Sequence, residues 1–97
     1  MDIGFKVEMS IECFSWDGAP EEFSIKKDSR FRVLFNNQYH PAIVLEGCQI
    51  LPGETGVAVV EFVALSEEKP LIKNGLKMRL YGGVKAFIGR GVVLKVL

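Results

Sequence analysis

The chain has 97 residues, of which 48% are hydrophobic and 25% charged, with a formal net charge of zero, so one globular domain with a single core is expected and disorder is excluded. A core of that size needs neither disulfides nor a metal to be stable. No apolar run approaches the roughly 18 residues that cross a bilayer as a helix, and Met1-Asp2-Ile3 lacks the basic and apolar regions of a signal peptide, so a cytoplasmic protein is expected.

The first segment alternates. Ile3, Phe5, Val7, Met9, Ile11 and Cys13 are apolar, with Lys6, Glu8, Ser10 and Glu12 between them. A period of two over that length predicts a strand with one buried and one wet face. Residues 14–28 lose the pattern and collect Asp17, Gly18, Pro20, Glu21, Glu22 and Lys26-Lys27. They predict a long loop, a kind of segment that often carries function in a compact domain. Alternation returns at Phe31, Val33 and Phe35, with Arg30 and Arg32 between and before them. Asn36-Asn37 offers a turn, and His40-Pro41 favours extended backbone ahead of a short strand from Ala42 to Leu45, ended by Glu46-Gly47. Pro52-Gly53 is a type II turn signature, the proline setting the first corner and the glycine supplying positive φ at the second. Val57 to Leu65 is almost continuously apolar, interrupted by Glu61, which predicts a strand covered on both faces. Ser66 to Asn74 is a polar connection closing at Asn74-Gly75. Leu76, Met78 and Leu80 then alternate with Lys77, Arg79 and Tyr81, and Gly82-Gly83 suits a two-residue hairpin. The last segment, Val84 to Leu97, is β-rich, with Gly89 and Gly91 marking a bend or a close backbone approach. Six or so strands, frequent turns and no helical periodicity over ten residues predict an all-β domain, either a small barrel or a sandwich.

Chemistry is harder to find. His40 is the only histidine, in a His-Pro turn beside no evident nucleophile, and a surface or capping role is expected for it. Glu21-Glu22 and Glu67-Glu68 read as solvated loop carboxylates. Cys13 and Cys48 form neither a disulfide framework nor a CxxC motif, and both lie in apolar segments where buried thiols are expected. There is no GxxxxGK phosphate loop and no zinc-ligand spacing. These features predict a protein without catalysis, cofactor or metal.

Charge is unevenly placed. All 12 acidic residues fall at or before Glu68, so residues 1–68 carry a net −7. Residues 69–97 carry seven basic groups (Lys69, Lys73, Lys77, Arg79, Lys85, Arg90 and Lys95) and no acid. Such asymmetry hints at a polyanion-binding face. The plainer reading is that these side chains solvate the outer faces of two strands while acidic segments neutralise them nearby.

Taken in order, Pro52-Gly53-Glu54, Val60-Glu61-Phe62-Val63, Gly75-Leu76-Lys77-Met78, Gly82-Gly83 and Gly89-Arg90-Gly91-Val92-Val93-Leu94-Lys95-Val96-Leu97 carry a family resemblance. Residues 52–97 resemble the C-terminal β-barrel, the third domain, of elongation factor Tu, here as a stand-alone domain. That domain has a Pro-Gly-Asp turn, a Val-Glu-Leu strand, a Gly-Leu-Arg-Phe strand, a Gly-Gly-Arg hairpin and a final Gly-x-Gly-Val-Val strand. The first half of the chain is compatible with it, with Arg30 to Phe35 standing near the family's Arg-Pro-Gln-Phe-Tyr strand. The resemblance implies a six-stranded antiparallel barrel over residues 1–97. In the family this barrel touches tRNA through its backbone, packs on a GTPase domain and meets an exchange factor. Carried over, Lys69-Pro70 resembles the Lys-Pro pair ahead of the Gly-Leu strand, and Tyr81, Gly82 and Gly83 resemble the hairpin that approaches tRNA. Lys85 sits near that hairpin's arginine. The chain departs from the family at Gly82, where an acid is usual, and at Tyr81, where an arginine is usual. It is also shorter between Leu45 and Pro52 and lacks the Gly-Gly-Arg-His motif in residues 14–28.

The sharper functional expectation is RNA binding. Lys77, Arg79 and Tyr81 share one strand face, a combination that contacts phosphates and stacks on a base or ribose. Bare amides at Gly82 and Gly83 suit close approach to a phosphate. With Lys69, Lys85 and Arg90 they make up the expected contacts to tRNA or another structured RNA. The rival is protein association, with a GTPase, another translation factor or a second copy as partner. Phe14 and Trp16, just past the first strand, would be anchors if exposed and a barrel plug if buried. A small-molecule carrier is least favoured, because small barrels are filled by their own side chains.

Overall fold

Alternating apolar residues organise the chain into six strands: β1 (Asp2–Cys13), β2 (Arg30–Phe35), β3 (Gln38–Gly47), β4 (Thr55–Leu65), β5 (Lys77–Gly82) and β6 (Ala86–Val96). A short 3₁₀ helix, Ser66–Leu71, joins β4 to β5. The structure is a computed structural model and describes residues 1–15, 24–82 and 86–97. Every pairing is antiparallel, and the order β1-β4-β3-β2-β5-β6, with β6 returning to β1, closes a six-stranded barrel. The barrel, rather than the sandwich, is therefore the fold.

Side-chain parity fills the barrel. Val7, Met9 and Ile11 of β1, Val33 of β2, Val60 and Phe62 of β4 and Leu80 of β5 are fully inaccessible. Each contributes roughly 1.5–3 kcal/mol by leaving water. Because the period is two, a one-residue slip of any strand would turn this set outward, so the register is strongly specified. β6 approaches β1 closely at its glycines. A Cβ on Gly89 would collide with the Glu12 carbonyl oxygen, and one on Gly91 would stand 2.5 Å from Met9 Sδ. Register shifts at Glu8/Met9, Val44/Glu46 and Leu80/Tyr81 supply the extra bend of a small barrel.

The turns behave as their residues dictate. Asn36 and Asn37 both take positive φ, 53° and 58°, as the I′ corners of a two-residue hairpin require. At Leu51–Glu54 the amide of Glu54 donates to the Leu51 carbonyl at 2.9 Å, with Gly53 at φ 88°. That is the expected type II turn.

Several expectations are corrected. β3 starts directly after the Asn36-Asn37 corner and runs through His40-Pro41, so it is far longer than Ala42 to Leu45. Ala42 pairs with Phe62, and extending that register sets Pro41, which has no N–H, against Val63. The Val63 carbonyl instead faces His40 Nδ1 at 3.1 Å. The histidine thus supplies the donor that the proline lacks, which explains how a proline sits inside a paired strand.

β4 is not covered on both faces. Ala58, Val60, Phe62 and Ala64 point inward, but Val57 and Val63 on the outside are 50% and 36% exposed. Its outer valines reflect the preference of β-branched residues for extended backbone, not burial.

His40 is neither a surface nor a capping residue, and Glu68 is not solvated; both are buried. The 3₁₀ helix folds Glu68 into the end of the barrel, where Oε1 accepts from the Leu65 amide at 3.0 Å and Oε2 from Asn36 Nδ2 at 3.4 Å. Glu67 is exposed as expected. Cys13 is buried but Cys48 is exposed, a further correction, because Cys48 lies just past the end of β3 and faces water.

Of the expected 14–28 loop, residues 16–23, with Asp17, Glu21 and Glu22, lie outside the described residues. Its last part is tied to the barrel: Ile25 and Ile50 exchange backbone hydrogen bonds of 2.9 and 2.7 Å, and Gln49 Nε2 donates to the buried Ser24 hydroxyl at 2.7 Å.

Candidate nucleic-acid interface

The outward-facing residues of neighbouring strands form two rows across the barrel wall. In the first, Glu12 of β1 stands opposite Arg90 of β6, Arg90 opposite Arg79 of β5, Arg79 opposite Leu34 of β2, and Leu34 opposite Tyr39 of β3. In the second, Phe87 of β6 stands opposite Tyr81 of β5, and Tyr81 opposite Arg32 of β2. Phe14, one residue past β1, joins that row through its edge-on contact with Phe87, ring centroids 4.8 Å apart.

The rings touch in an unbroken chain. Phe87 stacks on Tyr81 at 5.3 Å and 22°, and Tyr81 meets Tyr39 edge-on at 5.3 Å. Each of three arginines lies over one ring: Arg32 over Tyr39 at 5.1 Å, Arg79 over Phe87 at 5.6 Å and Arg90 over Phe14 at 5.4 Å. Contacts of these two kinds are worth roughly 0.5–1.5 kcal/mol each, enough to hold the guanidinium planes in place at a wet surface. Tyr39 and Phe87 remain 50% and 39% exposed.

Beside the aromatic row lies an open groove of about 710 Å³. Lys77, Arg79 and Arg90 supply its charge, and Ser10, Thr55, Asn36 and Asn37 its neutral polar groups. Glu12 also lines it. Among the described residues, no acid lies within ion-pair distance of Lys77, Arg79 or Arg90. Two arginines directly opposite one another on a sheet repel, a modest cost that an anion bound between them would remove.

The residues expected to bind RNA are only partly assembled here. Lys77, Arg79 and Arg90 line the groove, and Tyr81 stands in the aromatic row. Gly82 ends β5, half-buried against Ile88, while Lys69 is exposed on the 3₁₀ helix and is not part of the groove. Gly83, Lys85 and the expected Gly82-Gly83 corner lie outside the described residues, as does Trp16. Phe14 is half-buried on the outer wall, so it neither plugs the barrel nor stands free as an anchor.

Sequence reading missed Tyr39, Phe87 and Arg32. Tyr39 was recoverable, since a two-residue corner at Asn36-Asn37 sets it opposite Leu34 on the outside. Phe87 was hidden by the register shift at Leu80/Tyr81, which breaks simple alternation between Gly89 and the end of the strand. Among the described residues, no cluster of three His, Cys, Asp or Glu side chains could hold a metal ion. What the face offers is guanidinium and ammonium donors for anionic oxygens, next to flat apolar surfaces. No protein-family model matches the chain, and no curated protein matches it.

Proposed function

We propose that this barrel is a non-catalytic binding module, cytoplasmic and related to the third domain of elongation factor Tu, that grips structured RNA such as tRNA through phosphate contacts from β5 and β6. One observation carries the reading: Lys77, Arg79 and Arg90 converge on one open groove, and no described acid forms an ion pair with them. Lysine and arginine on a groove track a phosphate backbone and release its counterions, which makes binding steeply salt-dependent. The resemblance of residues 52–97 supplies the translation link.

The test is a titration of the chain against tRNA at ~50 and ~200 mM salt, with the triple variant Lys77→Gln, Arg79→Gln, Arg90→Gln alongside. Several phosphate contacts should make affinity fall by orders of magnitude across that range. Loss of binding in the variant supports the reading; absence of binding at the lower salt overturns it.

A second reading, association with a GTPase, a translation factor or another copy, draws on a different face. Val57 and Val63 stand 50% and 36% exposed on β4, with Ile43 and Leu45 half-buried on β3 beside them. Binding by that face should be insensitive to salt and to the groove variant.

A further inference from the structure

We propose that the aromatic row takes the bases of an unpaired RNA stretch while the groove beside it holds the phosphates, so that the preferred ligand is single-stranded. The inference rests on the RNA-binding reading above and narrows it.

A duplex presents its phosphates and hides the faces of its bases. A surface built only to clamp a duplex needs cations and has no use for exposed rings. Here Tyr39, Tyr81, Phe87 and Phe14 follow one another at 5.3, 5.3 and 4.8 Å, from β3 to the end of β1. The run lies alongside the groove rather than at a distance from it. Arg79 and Arg90 belong to both features, each lying over a ring of the row while lining the groove. A guanidinium in that position reaches a phosphate with its N–H edge while its face stays on the ring. Tyr39 and Phe87 stay 50% and 39% exposed beside the guanidiniums that lie over them, so a base can stack on the uncovered part of a ring or on the guanidinium itself, and stacking is open to every base because every base has a π-face. The groove's charge also disfavours an apolar occupant, since Lys77, Arg79 and Arg90 outnumber Glu12 among its lining residues.

Binding of a labelled single-stranded RNA about ten nucleotides long would be compared with that of the same sequence as a duplex, by fluorescence anisotropy at ~50 mM salt. The variants are Tyr39→Leu and Phe87→Leu, which keep the charge and leave the core alone, and Arg79→Gln. Thermal unfolding establishes that each is folded; should Phe87→Leu fail, Tyr39→Leu carries the test. The single strand should bind more tightly than the duplex. The leucine variants should weaken the single strand about tenfold or more with the salt slope unchanged, and Arg79→Gln should reduce that slope by about one. Equal affinity for duplex and single strand, with the leucine variants silent, overturns the inference and leaves the RNA reading standing. Binding of neither RNA overturns the inference, and the tRNA titration above then decides the RNA-binding reading by itself.

Discussion

Nε2 of His40 and Oε2 of Glu68 stand 3.3 Å apart inside one end of the barrel, both side chains 5% exposed. The contact lacks the alignment of a hydrogen bond at Nε2. A carbonyl only accepts, so in the contact with Val63 it is His40 Nδ1 that donates. Phe35 stacks on the imidazole at 4.3 Å and fixes its plane. The pair thereby joins the β2–β3 corner, β4 and the 3₁₀ helix.

Glu68→Ala should therefore cost roughly 2–4 kcal/mol, because it orphans the Leu65 amide and the Asn36 side-chain amide together and opens a gap beside the buried imidazole. Glu67→Ala, one residue away on an exposed side chain, should cost nearly nothing. Urea unfolding of the two variants checks the contrast, and equal midpoints would refute the structural role given to Glu68.

The Asn36-Asn37 corner yields a second asymmetric pair. Both residues hold positive φ, which glycine adopts without penalty. Asn37→Gly should stabilise the hairpin by ~0.5–1 kcal/mol. Asn36→Gly should gain little or lose, since Asn36 Nδ2 donates to the buried Glu68 carboxylate. Thermal melts of the two variants separate the backbone effect from the side-chain effect.

Gly89 and Gly91 should differ in how they tolerate a methyl group. At Gly89 the obstacle is the Glu12 main chain, which cannot step aside without breaking the β1–β6 ladder. At Gly91 it is chiefly the end of the Met9 side chain, with Leu80 Cδ1 at 3.1 Å. Gly89→Ala should cost about 3 kcal/mol or more and Gly91→Ala about 1–2 kcal/mol, as measured by chemical unfolding.

The two thiols should separate cleanly. Burial, with a smaller contribution from the charge of Glu54, holds the Cys13 thiol above its ordinary range, whereas Cys48 is exposed. A thiol reagent should modify Cys48 at once and Cys13 only on unfolding. The folded chain keeps the Cys13 proton to higher pH than the unfolded chain does. Stability should therefore fall as pH rises through the ordinary thiol value, and Cys13→Ala should flatten that decline.

The strands and their parity were readable because a period of two leaves little freedom: β1 runs from Asp2 to Cys13 with Phe5, Val7, Met9, Ile11 and Cys13 inside, and of the expected set Ile3 alone is exposed, near the start of the strand. What the chain did not disclose depends on partners distant in sequence. Glu68 looks like any loop carboxylate until the 3₁₀ helix swings it against His40, 28 positions earlier. The valines of β4 look doubly covered because apolar content does not distinguish a buried face from a merely extended one. Lys77, Arg79 and Tyr81 were legible as one face. Their company with Arg32, Tyr39 and Phe87 was not, because it follows from the order in which strands close the barrel.

That closure also limits how anything can be recognised. Among the described residues every strand has a paired neighbour on both sides, so no whole strand edge is open for a visiting peptide to be added as a seventh strand. Main-chain groups along the paired stretches of the wall are spent on one another, so a partner lying on those stretches is read by their side chains. Specificity in this molecule is then open to point substitution on the outer rows while the backbone beneath stays unchanged.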